Sequence, residues 1–149
     1  MKPAILTSLL VLLAACVTRQ DVSNDARFAT DYVLGATYRV QNDLAVRRLD
    51  NLLALFPPKR SSDAEGTVRQ GANFVGLAPS GTRLVVTKFV LEKNPEAGNT
   101  VSVWGRCTDG PVMDTPVLLT FVSRQHFQTN VWASVPLVNT NFLQLVNKP

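Results

Sequence analysis

The chain has 149 residues, 46% of them hydrophobic and 17% charged, with a formal net charge of +4 at pH 7. That length holds one domain with a real core and is too short for two. The basic residues are scattered, with Arg47-Arg48 and Lys59-Arg60 the only adjacent pairs. A nucleic-acid binder would show a clustered basic stripe interleaved with aromatics, so nucleic acid is not an expected partner.

The chain opens Met1-Lys2-Pro3 and continues through a largely apolar stretch to Ala14-Ala15-Cys16. Ala4 to Ala15 is too short for a bilayer-crossing helix, which needs roughly 20 apolar residues. It has the character of a secretory leader and not of a part of the folded domain. Leu13-Ala14-Ala15-Cys16 resembles the lipobox of bacterial lipoproteins. The resemblance implies cleavage before Cys16, a diacylglycerol thioether on its sulfur, and a domain tied to a membrane face. The competing reading is an ordinary signal peptide with Cys16 there by chance. Val17, not Asp, follows the cysteine. By resemblance to enterobacterial sorting, this implies an outer-membrane destination facing the periplasm. Loss of Lys2 with the leader lowers the net charge to +3. The expected organisation is a signal peptide over 1–15, a lipidated tether over 16–27, and a single β-rich domain over 28–149.

Val17 to Asp25 is polar and reads as that tether. Gly35–Val40 alternates, with Ala36, Tyr38 and Val40 on one side, and predicts a strand. Asp43–Arg48 continues the alternation. Leu49, Leu52, Leu53 and Phe56 instead fall at helical spacing before Pro57-Pro58, which predicts a short helical turn. Lys59–Arg69 has no large apolar residue except Val68 and reads as a surface loop. Asn73–Leu77 is a strand leading into the tight turn Pro79-Ser80-Gly81. Thr82–Lys93 is rich in β-branched residues. Asn94–Asn99 holds the residues of a hairpin turn, and Thr100–Cys107 returns as the partner strand. Val117–Ser123 and a shorter piece within Asn130–Val138 add strands, and Leu143, Leu145 and Val146 close the domain.

Five or six strands with little helix predict a mostly β fold, a small antiparallel barrel or sandwich with a short helical segment. Val75–Val86, VGLAPSGTRLVV, resembles the central hairpin of bacterial SH3-like barrels, in which a leucine-proline-x-glycine-threonine turn joins two strands. Here Ala78 separates Leu77 from Pro79. The resemblance implies an SH3-like fold and brings no catalytic residues.

Little in the chain points to catalysis. His126 is the single histidine and lies at a strand edge with no nucleophile motif around it. Asp114-Thr115-Pro116 is not the Asp-Thr-Gly of aspartic proteases. With Cys16 lipidated, Cys107 is alone, and no Cys/His grouping supports a metal or any other cofactor. Cys107 reads as a small buried hydrophobe; a thiol activated by Arg106, or an intermolecular disulfide, is the alternative.

Trp104 and Trp132 both fall in β segments, where core packing is the first expectation. Gly105 beside Trp104 also suggests a ring face left open to a sugar or a partner. The candidate contact is therefore Trp104 and Arg106 with the turn residues Asn94 and Asn99. The expected function is a non-enzymatic module that holds an envelope protein or cell-wall glycan near the membrane. The alternative is an envelope defence or immunity lipoprotein that blocks a toxin, lysozyme or phage.

Overall fold

The computed structural model describes residues 17–58 and 73–149. Cys16 and the Lys59–Arg69 segment lie outside the described residues. The fold is mostly β, with no helix of seven or more residues among those described, and its sheet is not closed. No described helix is long and apolar enough to cross a membrane.

The organising unit is the predicted hairpin. Strand β6 (Arg83–Asn94) pairs antiparallel with β7 (Gly98–Cys107), in a register running from Leu84↔Cys107 to Asn94↔Gly98. At the turn, the Asn94 side-chain oxygen accepts hydrogen bonds from the Glu96 and Ala97 amides at 2.9 and 3.1 Å. Gly98 takes φ 86°, a conformation that glycine adopts without Cβ strain. A bulge between Val86 and Lys88 shifts the register. The other strands use the hairpin as a spine. Strand β2 (Thr37–Val40) pairs with the start of β6, and β1 (Thr18–Asp21) with its end. On the other side, β8 (Pro116–Leu118) pairs with Trp104–Arg106 of β7, and β10 (Ala133–Leu137) with Asn99 and Thr100. The sheet continues from β8 through β4 (Leu52–Phe56) and β3 (Leu44–Leu49) to β5 (Phe74–Ala78). Strand β9 (Arg124–Gln128) borders β10, and β11 (Leu143–Asn147) borders β2.

Strand alternation places the core. Val101, Val103 and Cys107 of β7 meet Leu84, Val86 and Leu91 of β6, with Tyr38, Val40, Leu44, Val46, Leu55, Val117, Leu119 and Leu143 closing over them. Each fully buried Val or Leu of this kind contributes about 1.5–3 kcal/mol. Gly105 belongs to this inner face. A Cβ there would meet the Val85 carbonyl oxygen at 3.0 Å and Leu119 at 3.3 Å. The glycine therefore lets strand and core close together; it does not bare the Trp104 ring.

Four expectations are corrected. Leu49, Leu52, Leu53 and Phe56 do not form a helical turn. Residues Asp50 and Asn51 make a two-residue loop, with Asp50 at φ 49°, joining β3 to β4 as a hairpin. The helical pieces are instead 3-10 turns at Ala26–Phe28 and Thr120–Val122. The second of these cuts short the strand expected over Val117–Ser123. The described residues also hold eleven strands, not five or six. Lastly, the polar stretch expected as a free tether carries β1. Arg19 pairs in register with Glu92, Nε to Oε1 at 3.1 Å, and Val22 enters the core. The Val22 amide donates to the Phe89 carbonyl, and the Phe89 amide donates to Ser23 Oγ, both at 2.9 Å.

Candidate functional site

With the inner face of the hairpin committed to the core, Ser102, Trp104 and Arg106 fall on the outer face. The register extends that face across five strands. Lys88 of β6 stands opposite Trp104, Trp104 opposite Leu118, Leu118 opposite Ala54, and Ala54 opposite Arg47. The Lys88 ammonium lies 5.1 Å from the Trp104 ring centroid, and the Arg47 guanidinium 5.5 Å from that of Phe56. Both are cation–π contacts. Phe56 in turn stacks on Phe121 at 4.2 Å, and Phe121 is exposed. The result is an aromatic and cationic row laid across the sheet.

Beside this row a groove of about 380 Å³ runs toward the β6–β7 turn, lined in part by Val17, Arg19, Ser102, Thr120 and Phe121. The side-chain layer here is incomplete in its hydrogen bonding. Among the described residues, the buried side-chain polar atoms without a partner are Trp104 Nε1, Arg47 Nε and Thr120 Oγ1. All three belong to this face. A buried orphan of this kind costs about 1–3 kcal/mol.

The four residues singled out from sequence are not brought together. Trp104 and Arg106 share the outer face two positions apart, Trp104 half-buried and Arg106 exposed, with Arg106 Nε 3.8 Å from Asp114. Asn94 and Asn99 sit at the turn; Asn99 is five residues from Trp104, about 17 Å along the strand. Asn94 is occupied in closing that turn. The residues that sequence missed are Lys88, Arg47, Phe56 and Phe121. For Lys88, Arg47 and Phe56 the signal lies only in strand register, which joins positions far apart in the chain, and Phe121 is added by its stacking on Phe56.

Trp132 departs from the core expectation entirely. It is 72% exposed, immediately before β10, with φ 48° in the left-handed region. Phe127, also exposed, meets its ring edge-on at 6.1 Å.

Cys107 is fully buried, and burial, with the Asp109 charge adding to it, pushes its thiol up to about 11. That is the opposite of an activated thiolate, and a buried sulfur is out of reach of a second chain. His126 is exposed on β9, opposite Val135. Among the described residues no three His, Cys, Asp or Glu side chains gather as a metal site.

No protein-family model, curated protein or solved structure matches this chain.

Proposed function

We propose that this is a membrane-anchored, non-enzymatic binding module of the bacterial envelope, lipidated on Cys16 and most at home on the periplasmic side of the outer membrane. The leader ending Leu13-Ala14-Ala15-Cys16 supports the anchor. The binding surface is the outer face around Trp104, Lys88, Arg106 and Phe121, and its partner is an envelope protein or a cell-wall glycan. One observation carries that choice. The three orphaned polar atoms lie under a face with exposed aromatic surface, so a partner that shifts the covering side chains gains hydrogen bonds as well as buried area. Two of the three are N–H donors, which favours a partner rich in carbonyl, carboxylate or hydroxyl oxygens. For the fold, we read the bent spine and single core as an open barrel of SH3-like character. Its support is the change of partner along β6, from β2 to β1, on either side of the Val86–Lys88 bulge, and the change along β7 from β8 to β10.

The test combines metabolic labelling with an alkyne fatty acid and photo-crosslinking from position 121 in intact cells. Wild type incorporates the label, Cys16→Ser does not, and discrete adducts form that Trp104→Ala weakens at least several-fold. Absence of label in wild type defeats the anchor. Adducts indifferent to Trp104→Ala and Lys88→Glu defeat the binding face.

A further inference from the structure

We propose that the end of the sheet carrying Val17, the β6–β7 turn and Trp132 is a bilayer-docking edge, with the Trp132 indole seated among the phospholipid headgroups. This rests on the anchoring reading above and adds an orientation to it.

The argument starts from register. Thr18 pairs with Lys93, Lys93 with Asn99, Asn99 with Ala133, and Ala133 with Gln128. This is one unbroken row through β1, β6, β7, β10 and β9. One step outward along the first four strands stand Val17, Asn94, Gly98 and Trp132. Val17 and Trp132 are thus separated by three strand spacings, about 15 Å. In the sequence Cys16 directly precedes Val17, so the proposed lipid is attached two residues before the first residue of β1. A bilayer that receives a lipid from Cys16 meets this rim first.

What the rim presents fits that surface. Trp132 is the most exposed of the large apolar side chains described, and Val17 and Phe127 are also exposed. The left-handed backbone at Trp132 costs about 1–2 kcal/mol for a residue with a Cβ. The fold therefore holds an exposed indole at a cost, on the same rim as Val17. Tryptophan is enriched at membrane interfaces because its ring is apolar and its N–H is polar. Charge at the rim nearly cancels: Lys93 and Glu96 are both exposed, and Arg19 is paired with Glu92. Docking is consequently carried by the indole and not by anionic lipid.

The experiment uses the protein purified from its native membrane with its lipid, as the single-tryptophan variants Trp104→Phe and Trp132→Phe. Each is reconstituted into phosphatidylcholine vesicles whose acyl chains carry bromine, a contact quencher. Trp132 emission shifts to the blue and is quenched several-fold more than Trp104 emission. Vesicles doped with phosphatidylglycerol give the same quenching. Acyl mass on Cys16 with Trp132 emission unmoved by the vesicles overturns the docking edge alone. Quenching that appears only with phosphatidylglycerol overturns the indole-driven account. Absence of acyl mass on Cys16 overturns the anchor and the docking edge with it.

Discussion

Trp104 lies within β7 and Trp132 just ahead of β10, two strands that pair with each other, and the fold treats the two rings in opposite ways. Trp104 sits mid-strand with neighbours on both sides, and its ring is half-covered with the Lys88 ammonium 5.1 Å from its centroid. Trp132 sits where pairing ends, at a left-handed residue, 72% exposed, with Phe127 edge-on to its ring. The difference teaches that a tryptophan's availability depends on its distance from the strand end more than on the residues next to it in sequence. The closed middle of the hairpin carries the stability and a candidate protein- or glycan-binding face. The open rim carries exposed Val17, Phe127 and Trp132 and is the edge proposed to meet a membrane.

The comparison breaks most visibly under charge insertion. Val86 lies in the closed middle and is fully buried. Val86→Asp leaves a carboxylate among apolar neighbours and costs about 4 kcal/mol or more. Lys93→Asp, at the exposed rim, changes stability by less than about 1 kcal/mol. Urea denaturation of both variants measures the gap, and equal losses would erase the distinction between middle and rim.

A smaller effect comes from pH at the end of β7 remote from the rim. The Cys107 thiol is raised from 9.0 to about 11, first by burial and then by Asp109. A raised acid is protonated in the folded state when the unfolded chain has already lost its proton. Its contribution is therefore complete below pH 9 and is lost as pH climbs from 9 through 11. The loss amounts to about 1 kcal/mol between pH 7 and pH 10. Thermal unfolding across that range shows the decline, and Cys107→Ala flattens it while lowering stability at pH 7. An unchanged slope in that variant would mean the thiol is not sequestered.

These two experiments probe the part of the molecule that was most legible from sequence. Thr82–Lys93 and Thr100–Cys107 announce a hairpin because β-branched runs flank a turn of Asn, Pro and Gly, and the observed register extends that pairing by only a residue or two. Buried Val86 and Cys107 follow from the same alternation. Strand β1 was not legible: its residues are polar and exposed, and it is held by backbone pairing and by Arg19 with Glu92, which composition does not reveal. Strand β4 misled because Leu49, Leu52, Leu53 and Phe56 satisfy helical spacing as well as an alternating hairpin, and the Asp50-Asn51 loop was the overlooked signal. The candidate site was half legible. Trp104 and Arg106 share an outer face as alternation requires. Lys88, Phe56 and Arg47 join them only through cross-strand register, and Phe121 only by stacking on Phe56 from a 3-10 turn. The β-rich neighbourhood of Trp132 suggests core packing and carries no sign of its positive φ or its exposure.

The most direct measurement is acrylamide quenching of the two single-tryptophan proteins in solution. The account predicts that Trp132, read in Trp104→Phe, emits near the wavelength of free tryptophan and is quenched several-fold more steeply than Trp104, read in Trp132→Phe. Equal quenching of the two rings, or a blue-shifted and protected Trp132, would contradict it.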